Sequence, residues 1–207
     1  MTAKTHMASG ILLTSTMLLC SQSLGLETTP AADICCLAGG LFGSVFCDID
    51  ERRSYIGKIL WPLSYLFLVI KSLFRILAFF FPRKSRIHKN LKTISFCAAH
   101  RGIMHWPSTA VLILFLNCLL VGLACLFFST IILELFSLIF GMFLGVIAHL
   151  LYDFISGKIP LLAPFSMKRF GIMLVSSRGF LDIVLIRGLS IVGCIIVLNK
   201  YFSGGVQ

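Results

Sequence analysis

Residues 131–154 read IILELFSLIFGMFLGVIAHLLYDF, and this stretch decides the class of fold. Glu134 is its only formal charge before Asp153, and His149 lies four residues before that aspartate. A helix needs about twenty apolar residues to span the hydrocarbon of a bilayer. The stretch is therefore predicted to be a membrane-crossing helix that ends in two residue types able to bind metal.

The composition of the whole chain points the same way. Of its 207 residues, 58% are hydrophobic and only 13% are charged, and the mean hydropathy is +0.99. We expect one integral-membrane domain over residues 1–207. The net charge of +10 is attributed to the cytoplasmic bias of Lys and Arg in membrane proteins, so no nucleic-acid partner is expected. Eight cysteines form no CxxC pair, which argues against a disulfide framework or a cysteine zinc site.

Five crossing helices are predicted from apolar length. They cover residues 7–24, 32–47, 109–128, 131–151 and 183–202. The first twenty-five residues resemble a signal peptide without a clean cleavage site, so a retained first helix is expected. The second helix is short and rich in glycine, a pattern typical of a helix packed closely against others.

Residues 59–81 are apolar enough to cross but carry a polar stripe. Lys71 and Arg75 lie four apart, and Ser64 lies seven before Lys71, so the three share one helix face. This pattern favours an amphipathic helix in the membrane surface. The alternative is a sixth crossing with two snorkelling or paired cations. The predicted fold is therefore all-α and polytopic, with about five crossing helices and one interfacial helix.

The basic residues predict the orientation. With five crossings, all basic loop residues except Lys200 fall on one side, which the positive-inside rule makes cytoplasmic, together with the N-terminus. The distinctive polar residues fall at helix ends on that same side. They are His6, Asp48, Asp50, His100, His105, His149 and Asp153.

This set has the chemistry of a metal site. His149 and Asp153 share a helix face, and Gly102 would let the chain turn so that His100 and His105 both point inward. Imidazole and carboxylate ligands suit zinc ahead of manganese or iron, and a pair of ions could activate water against a phosphoester. Singly, each residue also has an ordinary explanation, such as a helix-ending aspartate or an interhelical hydrogen bond. His88 is assigned to a basic, headgroup-facing patch.

Four ordered motifs carry a family resemblance. These are KTHMASG at the start, LFGS followed by DID and SYIGK, the HRGxxH of residues 100–105, and HLLYDFISGKIPLLAPF running into KRFG. Together they resemble the YdjM family of bacterial inner-membrane proteins, whose members are described as metal-dependent hydrolases. That family is in turn distantly similar to zinc-dependent phospholipase C.

The resemblance implies metal-ligand roles for a set of matched positions and a role for Asp50 as ligand or base. The implied ligands are His6, Asp48, His100, His105, His149, Asp153 and Asp182. It also implies a divalent cofactor, zinc first, of one to three ions. The chain departs from the family at Glu51 and Arg52, where His-Pro is common, and at Met104, where a hydroxyl is usual.

Two hypotheses of different classes follow. In the first, the protein is an inner-membrane hydrolase that acts on a phosphoester, with a membrane phospholipid as substrate and with Arg101 and Arg169 near enough to grip the phosphate. In the second, it is a non-enzymatic membrane protein with a structural or transported metal ion. Ligands clustered at one membrane rim favour the enzyme, because transporters place ionisable residues near the midplane.

Overall fold

The computed structural model describes residues 3–26, 28–99, 101–124, 131–163, 165–166, 168–174 and 179–203. Within these ranges the regular structure is helical, and one isolated β-bridge joins Ile159 to Phe170. The α-helices of this part of the chain are α1 (Ala3–Ser23), α2 (Pro30–Phe46), α3 (Tyr55–Ile59), α4 (Trp61–Phe79), α5 (Arg86–Cys97), α6 (Pro107–Ala124), α7 (Ile132–Ser156) and α8 (Leu189–Ser203). Two 3-10 turns, Cys47–Asp50 and Ile103–His105, and a π-helix, Leu181–Gly188, complete them. The predicted all-α fold is confirmed.

Four helical segments are long and apolar enough to cross a membrane. They are Pro30–Asp50, Trp61–Phe79, Pro107–Ala124 and Ile132–Ser156, with a shorter apolar run at Ile183–Asn199. The first predicted crossing, residues 7–24, does form a helix, but α1 is absent from this set. Its serines and threonines and Gly10 lower its hydropathy, and it packs against α2, α7 and α8.

Helix α4 lies at the edge of the bundle. It packs mainly on α5, with smaller contacts to α3 and to the Cys47–Asp50 turn, and its exposed residues are largely apolar. Trp61–Phe79 qualifies as a crossing by length and composition, whereas the sequence favoured a surface position for residues 59–81. Both arrangements place the apolar face of α4 in lipid.

Close backbone contact between α2 and α7 forms the centre of the fold. A Cβ atom added to Gly43 would lie 2.1 Å from the carbonyl oxygen of Met142, and one added to Gly145 would lie 2.2 Å from that of Gly40. Only glycine permits such an approach, because any side chain would overlap backbone atoms. The prediction that the glycine-rich second helix packs closely against others is confirmed.

Helix α1 packs against both α2 and α7 although it is polar. The hydroxyls of Ser9, Thr14 and Ser15 are buried, and each donates a hydrogen bond to a carbonyl oxygen of its own helix. Hydroxyls satisfied in this way can be buried without a partner on another helix. A polar helix is thereby accommodated in the bundle, and this places His6 beside α7.

Candidate metal centre

Six of the predicted site residues converge at one end of the bundle. His6 lies near the start of α1, Asp48 and Asp50 lie in the turn after α2, His105 lies in the turn before α6, and His149 and Asp153 lie on α7. His6, His105, His149 and Asp153 are almost fully buried. Two predicted ligands cannot be placed. His100 lies outside the described residues, and of Asp182 only the backbone, within the π-helix, is described.

His149 is oriented by the backbone of α2. Its Nδ1 atom lies 2.6 Å from the carbonyl oxygen of Ser44. A carbonyl only accepts hydrogen bonds, so Nδ1 carries the proton and Nε2 presents its lone pair to the centre of the cluster. Metal-binding histidines are commonly oriented by such a bond.

The spacing of the polar atoms fits metal coordination. Nε2 of His149 lies 3.2 Å from Nε2 of His105, and both atoms lie 3.7 Å from Oδ1 of Asp48. Oδ2 of Asp153 lies 3.5 Å from the His105 nitrogen and 3.8 Å from the His149 nitrogen. Two ligands about 2.1 Å from a tetrahedral ion lie about 3.4 Å apart. These atoms could therefore hold an ion with small adjustments.

The described ligand atoms form two overlapping groups. Asp48, His105 and His149 make one, and His6, His149 and Asp153 make the other, with the atoms of each group within 4.8 Å of one another. Both groups need His149, whose Nδ1 is already bonded to Ser44. One ion is thus the stoichiometry that the described ligands support directly.

His6 supports the same interpretation through an unsatisfied atom. Its ring stacks on that of His149 at 3.9 Å and meets Tyr152 edge-on, and its Nε2 lies 3.9 Å from Oδ1 of Asp153. Its Nδ1 is buried and has no hydrogen-bond partner among the described residues. Burying an imidazole nitrogen without a partner is unfavourable, and a bound cation would remove the need for one.

The cluster has excess negative charge. Asp50 approaches His105 from the Nδ1 side, with 3.7 Å between Nδ1 and Oδ2. Burial by itself lowers the pKa of His105, but the carboxylates of Asp48 and Asp50 outweigh burial and raise that pKa to about 9. The carboxylates of Asp48 and Asp50, together with that of Asp153, thus favour a positively charged His105, and a divalent cation would balance the same negative charge.

The cluster opens into a cleft of about 190 Å³. His6, Asp48 and Asp153 form its inner wall, and its outer lining comprises Glu51, Arg53, Ser54 and Arg101. The Arg101 guanidinium lies 3.3 Å from Oδ1 of Asp153 and also donates to the Lys158 carbonyl oxygen. Arg101 has a φ of 60°, an unfavourable conformation for a non-glycine residue that these contacts hold in place.

The outer lining differs partly from expectation. Arg169 lies over the ring of Phe96 at 5.1 Å and does not line this cleft. Arg53, and not Arg169, lines the cleft together with Arg101. The feature of the sequence that could have indicated this is the position of Arg53, three residues after Asp50. Met104 packs against an apolar cluster that contains Ile49.

The fold and the cluster define a class, the polytopic helical membrane proteins with a buried His/Asp site able to hold a metal ion. The family model described as YdjM inner membrane protein matches residues 1–203, and the chain belongs to that family. No curated protein and no solved structure shows significant similarity to the chain. Membership supports a location in the inner membrane.

Proposed function

We propose that the chain is an integral-membrane, metal-dependent hydrolase that acts on the phosphoester of a lipid head group. One observation carries the proposal: a buried cluster of histidines and aspartates opens into a cleft whose outer lining includes two arginines. A site that only held helices together would not need an open approach lined by anion-binding side chains.

The metal would be held by residues from separate elements. His105, His149 and Asp48 have the spacing for one ion, and His6 and Asp153 extend the set. Imidazole and carboxylate donors favour zinc among the common divalent metals. When bound, such an ion activates water and stabilises the charge that develops on a phosphoester.

The side chains around the cleft would bind the substrate. Arg53 and Arg101 present guanidinium groups, which match the geometry of phosphate oxygens. Asp50 lies on the Nδ1 side of His105 and does not line the cleft. In this proposal Asp50 orients His105 by accepting a hydrogen bond from its Nδ1–H group, while the arginines position the phosphate.

An apolar groove beside the cleft supports a lipid substrate. The groove has a volume of about 210 Å³ and is lined by residues of α1, α7 and the π-helix. Tyr152 lines it and also contacts the ring of His6. A phospholipid could place its phosphate in the cleft and an acyl chain in the groove.

The proposed orientation places the centre and the N-terminus on the cytoplasmic side. The distribution of basic residues supports this orientation. In intact cells, an impermeant thiol reagent should not label a cysteine introduced at Lys4. Labelling there would refute the orientation but not the metal centre.

The test is turnover by the purified full chain. We expect tightly bound zinc by elemental analysis and release of a phosphorylated head group from phospholipid in detergent micelles. His149→Ala should abolish both, whereas His88→Ala, which removes the histidine that contacts Ala78 on the α4–α5 hairpin, should retain both. Full turnover by His149→Ala would refute the proposal. Bound metal that raises the unfolding temperature without any phosphoester turnover would support the alternative, a structural or transported ion.

A further inference from the structure

A second pocket, which three cationic side chains help to line, lies on the α4–α5 hairpin. It has a volume of about 480 Å³ and shares no lining residue with the metal cleft. Helix α4 contributes Lys71 and Arg75 to it, and α5 contributes Lys92. The rest of the lining is Thr93, Ser95, Phe96 and Ala99.

The three cations of this pocket have no acidic partner among the described residues. In the part of the chain that the structure describes, no carboxylate lies within 4 Å of Lys71, Arg75 or Lys92. Lys71 and Arg75 interrupt an otherwise apolar helix, where charged side chains are unfavourable. Three unpaired cations around one hollow would repel one another, and a bound anion would relieve that repulsion.

The hairpin forms the pocket without a ligand. Ser95 donates a hydrogen bond to the carbonyl oxygen of Lys71 at 3.0 Å, which joins α5 to α4 beside the cations. The Arg169 guanidinium covers the Phe96 ring and adds positive charge at this wall. Lysine ammonium groups and an arginine fork together recognise phosphate oxygens well.

The surroundings of the pocket identify the source of the phosphate. Leu68 lies three residues before Lys71 and Phe79 lies four residues after Arg75, so both flank the cations on α4, and their relative exposures are 39% and 84%. Most of the surface that lines the pocket is itself apolar. We propose that the pocket binds the phosphate of an anionic phospholipid, whose acyl chains lie along the exposed face of α4.

This lipid site is independent of the proposed hydrolase activity. A bound lipid there would hold the α4–α5 hairpin at the headgroup level, because basic residues near the membrane surface attract anionic lipids. The metal centre would be unaffected by the loss of the lipid. Metal content therefore separates a failure of this proposal from a failure of the proposed function.

The experiment uses the full chain in nanodiscs of phosphatidylcholine with increasing phosphatidylglycerol, and native mass spectrometry counts the lipids retained. The pocket variant combines Lys71→Gln, Arg75→Gln and Lys92→Gln. The matched control removes the same charge from exposed cations that do not line the pocket, through Lys58→Gln, Arg83→Gln and Lys84→Gln.

We expect the wild type to retain phosphatidylglycerol in preference to phosphatidylcholine. The pocket variant should bind phosphatidylglycerol roughly a hundredfold more weakly, since each cation near the surface contributes to the attraction. The control should retain it, and both variants should keep their metal. Equal losses in the two variants would overturn the proposal, because general surface charge would then explain binding. Displacement of the lipid by inorganic phosphate, or no preference in the wild type, would also overturn it.

Discussion

Replacing Gly145 by alanine is expected to weaken metal binding although Gly145 is not a ligand. Gly145 lies on α7, one helical turn before His149. The added Cβ atom would lie 2.2 Å from the carbonyl oxygen of Gly40 and 2.7 Å from the backbone nitrogen of Ser44. Both atoms belong to the α2 backbone, so the overlap cannot be relieved by a side-chain rotation.

The size of the effect follows from the overlap. A carbon and a carbonyl oxygen approach to about 3.3 Å, so α2 and α7 must separate by about 1 Å. The separation would move Asp48 away from His149, whose facing atoms are 3.7 Å apart, and would lengthen the bond between His149 and Ser44. Metal ligands tolerate shifts of about 0.2 Å, and the loss of an orienting bond lowers metal affinity about 10–100-fold.

The assay compares Gly145→Ala with Gly122→Ala. An added Cβ at Gly122 meets no atom within 4 Å, so this variant has the same chemical change without the overlap. We expect Gly145→Ala to lose about 1–3 kcal/mol of stability by overpacking. Elemental analysis after dialysis against a weak chelator should show metal in Gly122→Ala and little or none in Gly145→Ala.

Retention of metal by Gly145→Ala, with an unfolding temperature equal to that of Gly122→Ala, would contradict this prediction. That result would mean that α2 and α7 do not approach as closely as the glycine contacts require. A stable Gly145→Ala protein that lost only its metal would agree with the geometry, because the ligands need closer placement than the fold does.

Three further predictions address the cleft, the protons and the far end of the bundle. Arg53→Gln should raise KM for a phosphodiester about tenfold or more and leave the metal content unchanged, because an ionic hydrogen bond contributes about 1.5–3 kcal/mol. The control is Arg52→Gln, which lies outside the cleft and should leave KM unchanged. Because the pKa of His105 is raised to about 9, His105 is protonated at neutral pH in the metal-free protein. Metal binding should therefore release about one proton, and metal affinity should increase as the pH rises toward 9. Calorimetry in buffers of different ionisation heat measures this release, and its absence would contradict a protonated His105 in the metal-free protein. Asp33→Asn weakens the hydrogen bond from Tyr201 and should lower stability by about 1–3 kcal/mol in thermal unfolding, without loss of metal.

Local features of the sequence were sufficient to predict most of the fold. The apolar run of residues 131–154 has the length of a crossing helix, and the observed helix is Ile132–Ser156. Residues 149 and 153 are four apart, and this spacing alone predicts that both side chains lie on one helix face. The surroundings of helix α1 were harder to predict. Its polar side chains form hydrogen bonds within their own helix, and such side chains can face either neighbouring helices or lipid.

Candidate residues for the site could be chosen from the sequence, but their arrangement could not. Histidines and aspartates at helix ends could be selected from residue type and position alone. Their pairing could not, since the contact of His149 with Ser44 depends on two helices whose residues are 105 positions apart. For the same reason the cleft is lined by Arg53, for which no role was predicted, and not by Arg169, because each belongs to a loop whose path is set by packing.

The sequence by itself therefore determined that this protein is helical, is a membrane protein and has residue types able to bind metal at its helix ends. These properties depend on apolar length and helical periodicity, which are local along the chain. Only the tertiary structure decided which atoms of the metal centre face one another and which arginines line the cleft. It also decided that the cations of α4 and α5 line one pocket. Those distances arise from glycine contacts between α2 and α7 and from hydrogen bonds between segments far apart in the chain, and no local pattern specifies them.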